Sequence, residues 1–272
     1  MTPSDPHRAR PAAPGAGWPG DLATAQTPVA RTPADVVRLS GNAPTLDHLT
    51  ARVSVCHACP RLVEWRENVA AAKRAAFRDE IYWGRPVPGW GPADARIAIV
   101  GLAPAGHGGN RTGRIFTGDR SGDWLFAALH RGGLARLPTS ESADDGQQLV
   151  DVRMLAAVRC APPANKPTPE ERDACRPWME RELAYLRPRL RVAVALGGFA
   201  WAALWPALEA VGRPVPARRP RFGHLRECLL DDGLLVLGSY HPSQQNTFTG
   251  KLTAGMLDEV FARAREHAEG VA

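Results

Sequence analysis

The chain has 272 residues, an ordinary apolar share and a formal net charge of +6, enough for one large α/β domain with a single sizeable core. No stretch approaches the roughly 18 consecutive apolar residues of a membrane span, and the opening MTPSDPHRARPAAPGAG lacks the apolar run of a secretory signal, so a soluble cytoplasmic protein is expected. In that reducing compartment its five cysteines should act as thiols or thiolate ligands, not disulfides, and the positive charge is compatible with a polyanionic partner.

Residues 1–45 are rich in Pro, Ala, Thr and Arg without a sustained hydrophobic period and read as a disordered tail, leaving 46–272 as the folded domain. Cys56 and Cys59 then form a Cys-x-x-Cys pair, and the apolar spacing from Arg61 to Phe77 predicts a helix directly after it. Four short β-prone runs follow, RIAIVGLAP, VRMLAAV, RVAVALGG and LLVLGSY, mostly alternating with helical stretches. That alternation predicts a three-layer α/β/α fold around a mainly parallel four-stranded sheet. Ser121 is placed to cap a helix ending at Gly132-Gly133, and Thr168-Pro169-Glu170-Glu171 matches a capping box opening a helix to about Leu186. Asp232-Gly233 predicts a hairpin adding an antiparallel strand at 225–230, and a last helix is expected from Ala254 to about His267.

Four of the five cysteines fall into two pairs, Cys56 with Cys59 and Cys160 with Cys175, while Cys228 stands alone. Four sulfurs converging on one point suit either a zinc ion or an iron-sulfur cluster, and spacing does not choose between them. In an open α/β sheet, ligands bind beyond the carboxyl ends of the strands. After the first strand comes GLAPAGHGGNRTGRIFTGDRSGDW, a glycine-rich loop able to approach a ligand closely through backbone N–H groups. It matches neither GxGxxG nor GxxxxGK[ST], which argues against a nucleotide cofactor or ATP. After the last strand comes His241-Pro242-Ser243, and between Cys160 and Cys175 lies a proline-rich loop carrying Asn165, whose amide has the donor and acceptor needed to read a base edge. A basic segment gathers Arg213, Arg218, Arg219, Arg221 and Arg226 around His224.

With GLAPAGHGGNRTGRIFTGD, RCAPPANKPTPEE, HPS and the four cysteines in this order, the chain resembles the uracil-DNA glycosylase superfamily, and most closely its iron-sulfur-containing family 5 (type B). The resemblance implies a [4Fe-4S] cluster on Cys56, Cys59, Cys160 and Cys175. It also implies flipping of a deaminated base from double-stranded DNA and hydrolysis of its N-glycosidic bond by a monomeric enzyme. On that basis Phe116 corresponds to the aromatic that stacks on the flipped base, and His241 to the histidine that hydrogen-bonds a pyrimidine carbonyl. The loop of Leu102, Ala103, Pro104 and Ala105 would line the substrate and add backbone donors from its N–H groups, which Pro104 lacks, Asn165 and Ser243 would help bind substrate, and Asn110 would place the attacking water. Many superfamily members carry an acidic or amide side chain where this chain has Ala103. Family 5 shares the alanine, so the general base is open, with Asp119 as the nearest carboxylate in the motif. The missing polar group fits a substrate range extending to hypoxanthine and modified cytosines. In SQQNTFTGK, Phe248 is expected to wedge into the duplex, with Lys251, Arg218 and Arg219 on phosphates. The alternatives are a family 4-type enzyme confined to uracil and a non-catalytic DNA-binding module with a structural Zn(Cys)4 site.

Overall fold

The computed structural model describes residues 11–270. Five strands, β1 (Ile97–Gly101), β2 (Val152–Ala156), β3 (Val192–Leu196), β4 (Glu227–Leu229) and β5 (Leu235–Ser239), form one sheet in the order β2-β1-β3-β5-β4. The four expected strands are parallel, and β4 pairs antiparallel with β5 through the predicted Asp232-Gly233 turn. Every residue of the parallel strands is buried, as continuous β-prone runs require when helices cover both faces.

The helices are α1 (Pro33–Gly41), α2 (Leu46–Ser54), α3 (Pro60–Ala72), α4 (Gly109–Thr112), α5 (Arg120–Arg131), α6 (Pro169–Leu186), α7 (Gly198–Ala210), α8 (Gln244–Phe248) and α9 (Ala254–Glu269). Alternate strand residues divide between two cores. Ile97, Ile99, Val194 and Leu237 pack with Phe126 of α5 and Phe261 of α9. Ala98, Val100, Ala195 and Val236 pack with Leu183 of α6 and Trp205 of α7. This period of two is what a three-layer α/β/α arrangement demands.

Local signals explain most boundaries. Thr168 and Glu171 form the capping box that opens α6. The helix after Cys59 stops at Ala72, because Lys73 turns to φ +54°, and a separate 3-10 turn covers Ala75–Phe77. At α5 the cap is Asp119, not Ser121: its carboxylate accepts the N–H of Gly122 at 2.9 Å.

The expectation of a disordered tail is corrected over residues 11–45; residues 1–10 lie outside the described residues. Thr32 and Asp35 build a capping box for α1, whose Val36 and Leu39 join Leu49 and Val53 of α2 against Trp178 of α6. Upstream, Trp18 packs on Trp83 with ring centroids 5.7 Å apart and planes tilted by 55°, and donates to the carbonyl of Thr112 at 3.2 Å. Asp21 pairs with Arg85 where both side chains are almost wholly buried. Scattered anchors such as Trp18 and Asp21 give no periodic signal, so composition alone misreads the segment.

Candidate active site and cysteine centre

Because β1, β3 and β5 are parallel, the segments that follow them emerge at one edge of the sheet. The glycine-rich loop leaves β1, Gly197 ends β3, and Tyr240-His241 leaves β5. Gly197 adopts φ +93°, and a Cβ there would lie 3.3 Å from that of His241. This close approach lets His241 lean across β3 toward the loop after β1. There its imidazole meets the ring of Phe116, with centroids 5.8 Å apart and planes tilted by 37°.

Phe116 is held in the left-handed region at φ +55°, a strained conformation for an aromatic residue and typical of functional sites. Gly101 makes room for it, since a Cβ there would come within 2.7 Å of Phe116 Cζ. Burial pushes the His241 pKa down from 6.5 to about 4, so the imidazole is neutral at physiological pH. Its main-chain carbonyl accepts from Asn246 Nδ2 at 2.9 Å, tying it to α8.

The rest of the loop is braced from within. Arg111 Nε donates to the His107 carbonyl at 2.9 Å, its Nη2 donates to the Gly118 carbonyl at 3.2 Å, and its guanidinium pairs with Glu80. The N–H groups of Ala103 and Ala105 have no main-chain acceptor among the described residues, so they remain available to a ligand.

A second centre lies where α3 starts. Cys56, Cys59, Cys160 and Cys175 line one small cavity with Arg66 and Trp178. Burial, followed by the proximity of Cys160, pushes the Cys56 thiol up to about 11 and Cys59 to about 12, and Cys175 rises for the same two reasons. Arg66 Nη1 donates to Cys160 Sγ at 3.1 Å, and the Arg159 N–H donates to Cys175 Sγ at 3.3 Å. Among the described residues no group of three or more His, Cys, Asp or Glu side chains is arranged to hold a metal ion. Four soft donors around one cavity, two of them accepting hydrogen bonds at sulfur, nevertheless fit the donor set of an iron-sulfur cluster.

The sequence model of the Uracil DNA glycosylase superfamily matches residues 88–265. A type-5 uracil-DNA glycosylase of Mycobacterium bovis is 55% identical over 258 residues, 95% of each chain. The chain belongs to the type-5 family of the uracil-DNA glycosylase superfamily. A type-5 uracil-DNA glycosylase of Thermus thermophilus is 51% identical over 79% of this chain and 95% of its own. A type-4 uracil-DNA glycosylase of Thermotoga maritima is 33% identical over 57% of this chain and 63% of its own.

Within this glycosylase fold the structure brings Phe116 and His241 together and puts the other expected site residues to varied uses. Ala103 packs against Leu62, Val158 and Cys160, so the loop after β1 touches the cysteine centre. Asn110, expected to place water, is wholly buried, and its Nδ2 donates to the carbonyls of Arg66 at 3.1 Å and Gly106 at 3.4 Å, a bracing geometry. Asp119, the candidate base, is committed as the α5 cap and lies against Gly108, where a Cβ would collide with its Oδ2. Ser243 likewise caps α8. Asn165 is exposed on the 3-10 turn Pro163–Asn165, with Ala164 and Asn165 both at positive φ. Phe248 is 69% exposed at the end of α8, with Arg120 6.0 Å above its ring, and Lys251 Nζ lies 4.9 Å over the Tyr240 ring. Arg218 is exposed, whereas Arg219 is paired with Glu209 at 2.6 Å. Of the basic segment, Arg213 turns inward to Asp232 and the carbonyls of Arg187 and Leu190, which takes it away from phosphates.

Sequence reasoning missed two contributors, Arg120 and Arg66, and gave His224 only a place in the basic segment. Arg120 is one charge in a helix start, and only the fold sets it beside Phe248. His224 accepts the Tyr240 N–H at 3.2 Å and stacks on the Tyr240 ring, fixing the residue before His241. Arg66 looks like a solvated helix arginine in RLVEWRENV, and its burial follows from tertiary packing.

Proposed function

We propose that this protein removes uracil, and with it other deaminated or damaged bases such as hypoxanthine and modified cytosines, from double-stranded DNA by hydrolysing the N-glycosidic bond and leaving an abasic site. The observation that carries the reading is the facing pair of Phe116 and neutral His241 at the carboxyl edge of the sheet. An aromatic surface and an uncharged hydrogen-bond donor meet a flat pyrimidine along its face and its edge. The named activity of the type-5 relatives supports the uracil part of the reading.

The base enters the pocket only when flipped, because the sugar-base bond is inaccessible in a stacked duplex. Phe116 stacks on it, and the His241 imidazole donates to a carbonyl oxygen. As the bond lengthens, negative charge grows on the departing base, and a neutral donor gains strength against it, as in an oxyanion hole. The N–H groups of Ala103 and Ala105 add to the same field. Asp119 is occupied as a cap and Asn110 braces through Nδ2, with only its buried Oδ1 left without a partner, so a strongly dissociative route fits this pocket: the sugar becomes oxocarbenium-like and water attacks without a strong general base. Asn165 reads the edge of the base from its strained turn. Ala103 offers no polar side chain at a position where many superfamily members carry one, which supports tolerance of several bases.

On the DNA side, Phe248 fills the space left by the flipped nucleotide, while Arg120, Lys251 and Arg218 meet phosphates. Cys56, Cys59, Cys160 and Cys175 hold a [4Fe-4S] cluster, whose contribution when bound is to join segments. Arg61 works in the same place, donating to both carboxylate oxygens of Glu171 at 2.7 and 2.6 Å and to the Lys166 carbonyl at 3.2 Å. The start of α3 is thereby tied to the loop that carries Asn165. A monomeric, cytoplasmic enzyme is part of the same proposal.

Base release measured with uracil, hypoxanthine and ethenocytosine in single- and double-stranded DNA tests the reading. Release of all three from duplex is expected. Uracil alone would restrict the protein to type-4-like specificity, and release of none would leave a DNA-binding module.

A further inference from the structure

Arg66 sits in the middle of α3 with no solvent-exposed side-chain surface. A guanidinium withdrawn from water is strongly unfavourable unless anions and acceptors compensate it. Here the compensation is incomplete. Nη1 donates to the Cys56 carbonyl at 3.0 Å and to Cys160 Sγ at 3.1 Å, while Nε and Nη2 have no hydrogen-bond partner among the described residues. Glu67 faces it from 3.6 Å, but that carboxylate is partly exposed and is shared with His57.

Arg159, which lines the same cavity, repeats the imbalance. It and Arg153, both buried, share the single carboxylate of Glu182 at 2.6 Å each, which leaves a surplus positive charge near Cys175. Arg66 supplies a second. Four thiolates around a dipositive core form a doubly negative centre, so these two surplus charges match the charge such a centre would bring.

The main chain of Arg66 points the other way. Its carbonyl accepts Nδ2 of the wholly buried Asn110, and the Asn110 N–H donates to the Ala105 carbonyl at 3.0 Å. One residue therefore touches Cys160 through its side chain and the loop after β1 through its backbone.

We propose that Arg66 is the hydrogen-bonding counter-cation of the cysteine-held iron-sulfur centre and the positioning residue that ties that centre to the catalytic loop, an inference that rests on the cluster reading above. The Arg66 N–H donor stabilises the Cys160 thiolate and favours the more negative, reduced state of the centre. Its loss therefore lowers the reduction potential. With the centre absent, the buried Arg66 cation would lack its anion, and the anchor of Asn110 would loosen.

The test uses the full-length iron-loaded protein and the variants R66M, which keeps the bulk without charge or donors, and R66K, which keeps the charge with a shorter, single-point donor. Iron loss to a chelator, followed through the absorbance near about 400 nm characteristic of such clusters, should be about 10- to 100-fold faster in R66M. Its reduction potential should fall below that of the wild type, and amide exchange across residues 105–113 should quicken. R66K should lie between the two. Wild-type iron retention and potential in R66M overturn the proposal. Should R66M not accumulate, R66K decides: a lowered potential with faster iron loss supports the proposal, and wild-type values for both overturn it. Wild-type protein that binds no iron would overturn the cluster reading as well, whereas iron-loaded wild type with an unchanged R66M overturns this inference alone.

Discussion

Phe116 and His241 face each other across the end of a strand that belongs to neither of them. Phe116 lies in the loop after β1, His241 follows β5, and β3 runs between. Gly197 at the end of β3 makes the meeting possible by letting His241 pass close over the backbone. Any side chain at Gly197 would have to tolerate φ +93° as well as that contact, so Gly197→Ala should slow base release while leaving DNA binding largely intact, as a paired rate and affinity measurement would show.

The neutrality of His241 sets the expected pH behaviour. Its pKa falls from 6.5 to about 4 on folding, so the unfolded chain takes up a proton at a pH where the folded protein still resists it. Stability therefore rises with pH across that window and is lost on acidification from 6.5 toward 4, by up to about 3 kcal/mol from this group. Urea denaturation of the wild type and His241→Gln at several pH values checks this, with the variant showing the shallower dependence. In an NMR titration the His241 ring should remain neutral through pH 6.5.

Phe248 offers a large apolar side chain to solvent next to Arg120. Phe248→Ala should slow base release from duplex by roughly 10-fold, because the unstacked state loses its filler, with much less effect on single-stranded DNA that needs no unpairing. Equal losses on the two substrates would count against a wedge. Lys251→Ala should weaken duplex binding and reduce the slope of log affinity against log salt by about one.

Asp21 and Arg85 form a buried pair between the N-terminal segment and the stretch before β1. Asp21→Ala should cost about 3–5 kcal/mol in urea denaturation, since it leaves a buried guanidinium without its carboxylate. Trp18→Phe, which loses the bond to Thr112 but keeps an aromatic ring, should cost far less. A truly disordered segment would show no loss in either variant.

Asp119 is expected to act on stability through the cap of α5. Asp119→Ala should lower stability by about 1 kcal/mol, and Asp119→Asn should recover most of it, because an amide oxygen still accepts the Gly122 N–H. A general base would instead show a large loss of rate in Asp119→Asn at unchanged stability.

Much of this architecture is legible in the residues alone. Runs such as IAIV and LLVL report strands buried on both faces, and Thr168-Pro169-Glu170-Glu171 reports a helix start, because those signals are local. HPS and GRIFTGD carry the resemblance to the family, and the fold brings their His241 and Phe116 together. What local pattern misses is the use to which polar side chains are put. Asp119, Asn110 and Ser243 stand in or beside the site motifs, yet their hydrogen bonds run to backbone and cap positions set by the fold. Arg66 and Asp21 look like surface charges in sequence and become buried partners only when distant segments close over them. The α7 helix, apolar nearly all round, carries no amphipathic stripe to mark it.

The central claim is that His241 stabilises the departing base. Single-turnover release of uracil from duplex DNA, measured for the wild type and His241→Ala together with their affinities for the duplex, tests it most directly. A loss of about 10²- to 10³-fold in rate with affinity nearly unchanged is expected. A variant that releases uracil as fast as the wild type would contradict it.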